Sequence, residues 1–116
     1  MDSWKRKEPV RLGIDIGGTN VKLGLVDAQG QLVAFRSVPT PAKEGAAVVA
    51  AEIGRQAQKL LEEQGAENCL GAGLGVPGTV ERETGMVLYS NNLRWDDVPL
   101  AGLLRSYLPM PIEIAN

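Results

Sequence analysis

The chain has 116 residues, a single cysteine, 44% hydrophobic and 22% charged side chains, and a formal net charge of −2. This limits it to one domain with a modest core and argues against disorder, an internal disulfide and a nucleic-acid-binding face. No apolar run approaches the ~20 residues of a membrane span. The polar start, Met1 to Pro9, lacks the apolar segment of a secretory signal. The expectations are therefore a cytoplasmic protein, with no nucleic-acid or membrane partner, and a solvated, disordered tail over residues 1–9. No histidine is present, so a general base within the chain would be a carboxylate. Cys69 has no His or second Cys to activate it and reads as a buried structural residue.

Val10 to Ile16 is apolar, carries β-branched residues and ends at glycines, which predicts a strand. Val21 to Val26 and Leu32 to Val38 predict two more strands, joined by the turn Asp27-Ala28-Gln29-Gly30. Connections this short force an antiparallel meander. Pro39-Thr40-Pro41 ends it. From about Glu44 to Gln64 the pattern turns helical: Val49, Ile53, Ala57 and Leu60 share one face, and Gly65 is the stop. Leu70 to Val76 predicts a fourth strand, parallel to an earlier one through a right-handed crossover. Thr79 to Tyr89 predicts a small β excursion turning at Glu83-Thr84-Gly85. Ser90 to Val98 reads as a loop, with Asp96 and Asp97 as turn and cap residues. A short helix follows from Pro99 to Tyr107, then a fifth strand at Ile112 to Ala115. The fold class is α/β, an open five-stranded mixed sheet flanked by helices. The C-terminal ends of its parallel strands, at Ile16, Val76 and Ala115, would meet at one edge, where open α/β sheets bind ligands.

Three stretches carry the candidate chemistry. In Asp15-Ile16-Gly17-Gly18-Thr19-Asn20 the glycines let the backbone turn so that N–H groups face phosphate oxygens. Thr19 adds a hydroxyl donor, and Asp15 can hold Mg²⁺ through its water shell. The plainer rival is a hairpin turn with a capping Asp. Lys22, alternating with apolar neighbours, either reaches phosphate or is an exposed strand lysine. Gly73-Leu74-Gly75-Val76-Pro77-Gly78 has the spacing of a dinucleotide fingerprint, but Thr79-Val80-Glu81 leads to another turn rather than a helix, which excludes that reading. The tip Pro77-Gly78 instead brings bare backbone to a polar ligand, against the rival that the glycines serve helix–sheet packing. Asn91-Asn92-Leu93-Arg94-Trp95 offers amides and an aromatic wall to a sugar, or a loop anchored by its own Trp.

These residues resemble the ROK family of sugar kinases, within the actin, Hsp70 and hexokinase superfamily, with bacterial glucokinases the nearest in kind. The likeness lies in Asp15-Ile16-Gly17-Gly18-Thr19-Asn20-Val21-Lys22, Gly75-Val76-Pro77-Gly78-Thr79-Val80, Gly85-Met86-Val87, Asn92-Leu93-Arg94-Trp95 and Pro111-Ile112-Glu113-Ile114-Ala115-Asn116, in order across residues 10–116. The resemblance implies a ribonuclease-H-like, actin-like ATPase lobe and transfer of the ATP γ-phosphoryl group to a hexose hydroxyl. It implies that Gly17, Gly18 and Thr19, with Asn20 and Lys22, face the ATP phosphates and that Asp15 faces Mg²⁺. It places Pro77, Gly78, Asn92 and Asn116 at the sugar. The family's general base is an Asp directly after the residue matching Asn116, so residues 10–116 read as an N-terminal lobe that stops short of that base. The family's zinc-binding His/Cys segment also falls outside this sequence. The alternatives are another hexose or N-acetylhexosamine kinase and a sugar-sensing ROK-type regulator; the regulator's helix-turn-helix would precede the glycine turn, where only Met1 to Pro9 stands. Apolar surface meant for a second lobe leaves a homo-oligomer open.

Overall fold

The computed structural model describes residues 5–116. Three strands, β1 (Val10–Ile16), β2 (Asn20–Asp27) and β3 (Leu32–Pro39), form the predicted meander. A single 3-10 turn at Ala42–Glu44 leads into α1 (Ala46–Glu63). Then come β4 (Cys69–Gly75), β5 (Thr79–Glu81), β6 (Met86–Ser90), β7 (Trp95–Val98), α2 (Leu100–Leu104) and β8 (Ile112–Ala115). The five-stranded sheet has the order β3-β2-β1-β4-β8, with β1, β4 and β8 parallel; β5, β6 and β7 form a separate antiparallel sheet.

The alternation in β1 decides which face becomes core. Val10, Leu12, Ile14 and Ile16 are buried, while Arg11, Gly13 and Asp15 are exposed. Val21, Leu23 and Leu25 of β2 and Ala72 and Leu74 of β4 continue the buried face. Val49, Ile53, Ala57 and Leu60 of α1 pack into the same core, as their spacing predicts. Each fully buried Leu or Ile contributes about 1.5–3 kcal/mol. Gly54 sits in the middle of α1, where glycine costs about 1 kcal/mol against Ala. A Cβ there would strike the Tyr107 ring, so Gly54 lets the chain after α2 lie against α1.

Among the described residues both helices contribute to that one core. The helices flank the sheet as expected, all on the core face, and the other face is bare among the described residues. Gly13 stands in register between Gly24 and Gly73, a row without side chains across the central strands. Leu32 and Phe35 beside it are 62% and 58% exposed.

Four expectations change. Ser90 to Val98 is not all loop, because Trp95–Val98 pairs with β6 as β7. Asp96 is opposite Tyr89 in that ladder, and α2 is preceded by Pro99 with no side-chain cap bond, so neither Asp96 nor Asp97 caps the helix. The α-helical part of α2 ends at Leu104 rather than Tyr107. Met1 to Trp4 lie outside the described residues, but the tail is tied to the domain from Lys5 onward. Arg6 bridges to Ala66, and Lys5 pairs with Glu67 at 3.4 Å.

Cys69 is half-buried, and its thiol pKa is raised by desolvation. A raised pKa leaves less thiolate at any given pH, and the thiolate is the nucleophile. Cys69 is expected to alkylate with iodoacetamide at pH 7.5 more slowly than a free peptide cysteine, with the rate rising as pH climbs past the ordinary thiol range; mass spectrometry of timed aliquots measures it.

Candidate functional site

Parallel pairing brings three strand ends together. Asp15 of β1 is in register with Gly75 of β4, and Gly75 with Ala115 of β8. The Val76 N–H donates to the Ala115 carbonyl at 2.9 Å, which carries the alignment one residue further, to where Pro77 and Asn116 follow. Asp15 lies exposed on the bare face, and a Cβ on Gly75 would stand 3.9 Å from its Oδ1. Lys22, also exposed, is opposite Asp15 in the β1–β2 ladder. Asp15 and Lys22 line a shallow trough of about 620 Å³ floored by Gly13, Gly24, Gly73 and Gly75.

The glycines of the first turn are required for space. Neither Gly17 nor Gly18 adopts a left-handed φ. A Cβ on Gly17 would stand 2.9 Å from the Asn20 carbonyl oxygen, and one on Gly18 3.0 Å from that of Asn92. The second contact joins the predicted phosphate turn to the predicted sugar loop. The turn is also tied from outside its own hairpin: the Thr40 hydroxyl donates to the Gly17 carbonyl at 2.8 Å, and the Thr40 N–H to the Thr19 carbonyl at 2.8 Å.

Gly78 has φ 154°, and a Cβ there would collide with the Tyr89 carbonyl oxygen, so the tip lies directly on the β6 backbone. Ser90 holds it in place. This side chain is fully buried; its hydroxyl donates to the Pro77 carbonyl at 2.5 Å and accepts from the Leu93 N–H at 3.3 Å. One side chain thus links the Pro77-Gly78 tip to the loop carrying Asn92. The glycines at Gly73 and Gly75 do not serve helix packing, because they lie on the face opposite Ala72 and Leu74, which point into the core. After Gly78 the chain enters β5 rather than a helix, as expected.

Trp95 is 3% exposed, a core anchor, and its indole Nε1–H has no partner among the described residues. Arg94 and Asp97 close by have φ of 58° and 50°, a conformation that costs a non-glycine residue about 1–2 kcal/mol. A cavity of about 600 Å³ opens here, lined by Lys43, Gly45, Asn92, Arg94, Trp95 and Asp96.

Neither Thr40 nor Ser90 is among the site residues expected from the sequence. Neither belongs to a spaced motif; the only local signal is that Thr40 stands between Pro39 and Pro41, both restricting its backbone. No cluster of three or more His, Cys, Asp or Glu side chains able to hold a metal occurs among the described residues. A lone carboxylate beside phosphate oxygens and water is nonetheless the ordinary setting for Mg²⁺, and the open space at Asp15 fits it. No described helix is long and apolar enough to cross a membrane.

Residues 11–116 match the family described as the ROK family. A glucokinase from Halalkalibacterium halodurans is 30% identical over 107 residues, covering 90% of this chain and 32% of the relative. A xylose repressor from Caldicellulosiruptor bescii is 45% identical over 47 residues, covering 40% of this chain and 12% of the repressor. The crystal structure of a ROK family glucokinase from Streptomyces griseus, in complex with glucose and AMPPNP, superposes with a TM-score of 0.81 at 27% identity, covering 92% of this chain and 33% of that one. The chain therefore spans about a third of the length of the glucokinases it matches.

Replacing Ser90 with Ala leaves the Pro77 carbonyl and the Leu93 N–H short of a partner in a buried setting. Ser90→Ala is expected to cost about 1–3 kcal/mol in urea unfolding. The exposed Ser106→Ala is expected to stay within about 0.5 kcal/mol.

Proposed function

The chain belongs to the ROK family, and from that membership we propose that it forms the phosphate-binding lobe of an ATP-dependent hexose kinase, with glucose the leading substrate. The observation that carries the reading is the contact of Gly18 with the Asn92 backbone beside the aligned ends of β1, β4 and β8. It sets a turn of closely packed amides next to a loop of amide side chains. In this reading the backbone N–H groups of Gly17, Gly18, Thr19 and Asn20 hold the ATP phosphates, with Lys22 in reach of them. Asp15 holds Mg²⁺, which neutralises charge on the phosphates when bound. Pro77 and Gly78 present backbone to the sugar, and Asn92 and Asn116 hydrogen-bond its hydroxyls. The general base belongs to the protein beyond Asn116, as does closure of a second lobe to exclude water. The bare sheet face supports assembly with further protein mass, a homo-oligomer included, and a cytoplasmic setting accords with Cys69 remaining a thiol.

A second reading, the sugar-binding lobe of a ROK-type regulator, is favoured by the match to the xylose repressor. Turnover separates the two. The 116-residue chain alone is expected to give no ATP-dependent glucose phosphorylation. A chimera carrying residues 10–116 in place of the matching segment of the Halalkalibacterium halodurans glucokinase is expected to phosphorylate glucose. Asp15→Asn in that chimera is expected to lower kcat/KM about 100-fold. A folded chimera that binds glucose without turning over ATP would sink the kinase reading and favour the regulator.

A further inference from the structure

Resting on the phosphate-turn reading, we infer that Thr40 is the positioning residue of that turn: it holds the Gly17 and Thr19 carbonyls and so aims the Gly18 and Asn20 N–H groups at the phosphates. The geometry follows from the planarity of the peptide group. In a trans peptide the C=O of one residue and the N–H of the next point in opposite directions, and the chain has no cis peptide bond among the described residues. The Gly17 carbonyl accepts from Thr40 Oγ1 at 2.8 Å, so the Gly18 N–H points away from Thr40. The Thr19 carbonyl accepts from the Thr40 N–H at 2.8 Å, so the Asn20 N–H also points away from Thr40. One residue therefore fixes two of the four peptide planes in the turn from a single side.

The backbone N–H at position 40 would hold the Thr19 carbonyl whatever the side chain, but without the Thr40 hydroxyl the peptide between Gly17 and Gly18 has no such restraint. The turn's own hairpin supplies the bond from the Gly17 N–H to the Asn20 carbonyl at 2.9 Å, which fixes the entry to the turn and leaves the peptide between Gly17 and Gly18 to rotate. Glycine on both sides of a peptide imposes the weakest steric limit on that rotation. A turn with free planes would orient its amides only on binding, and the ligand would bear that ordering cost. Thr40 is itself held. Pro39 and Pro41 flank it, and a residue before proline is confined to extended conformations, so its hydroxyl is presented from a restricted backbone. Asn20 is in register with Pro39, which places Thr40 alongside the turn as β3 ends.

The test titrates the ¹⁵N-labelled 116-residue chain with Mg·ATP, reading amide shifts and the apparent Kd, with the thermal midpoint as a control of folding. In the wild-type chain the Gly18 and Asn20 amides are expected to shift saturably. Thr40→Val keeps size and backbone N–H but loses the hydroxyl; it is expected to weaken binding about 10-fold and to abolish the Gly18 shift while other amides keep their dispersion. Thr40→Ser restores the donor and is expected to return affinity to within about 2-fold of wild type. A purely structural role for Thr40 would not follow the hydroxyl in this way. Wild-type affinity in a folded Thr40→Val chain overturns the inference and leaves the phosphate-turn reading standing. Absence of any Gly18 or Asn20 shift in the wild-type chain overturns that reading and the inference with it. Where Thr40→Val does not fold, Thr40→Ala makes the same comparison. Loss of fold in both overturns the inference, since Thr40 would then hold the domain rather than the turn.

Discussion

Three strands running in one direction need long connections, and those connections are β2, β3 and α1 between β1 and β4, and the β5–β7 excursion with α2 between β4 and β8. Each returns the chain to the same edge of the sheet, so the C-terminal ends of β1, β4 and β8 fall in one row. Asp15, Gly75 and Ala115 meet there because the ladder aligns them and not because they are close in sequence. The turn after β1, the tip after β4 and the residue after β8 then share one neighbourhood. Everything assigned to ATP and sugar depends on that shared direction.

Close packing at this edge explains its composition better than backbone conformation does. Gly17 and Gly18 have no left-handed φ to relieve; they are glycines because carbonyl oxygens of Asn20 and Asn92 occupy the space a methyl group would need. Gly78 is squeezed in the same manner by the Tyr89 carbonyl. Loops that touch through bare backbone have few ways to move apart without losing contact. Ser90 and Thr40 add directional bonds where that contact alone would leave peptide planes loose.

Periodicity made most of the fold legible. The spacing of Val49, Ile53, Ala57 and Leu60 gave the core face of α1, and alternation in β1 and β2 gave the meander. The limit of the parallel ends at Ile16, Val76 and Ala115 followed from counting connections. The strand at Trp95–Val98 was not legible, because Asp96 and Asp97 mark it as a turn and because Arg94 and Asp97 take conformations that no local rule assigns to them. The residues of the phosphate turn were legible as a motif, whereas the reason for their glycines was not, since the crowding atoms belong in part to a loop more than seventy positions away. Thr40 and Ser90 carry no sequence signal of a site role, because a lone hydroxyl residue has no pattern until the fold gives it carbonyls to bind.

The row Gly13, Gly24 and Gly73 leaves the middle of one sheet face without side chains, and Leu32 and Phe35 stand exposed at its border. Water covering such a surface is released when another apolar surface settles on it, and near room temperature that release is driven by entropy. The attraction therefore fades on cooling. In a chilled, dilute solution copies of this chain stay apart more readily than in a warm one, so the vessel's temperature becomes a control on whether the sheet meets solvent or another molecule.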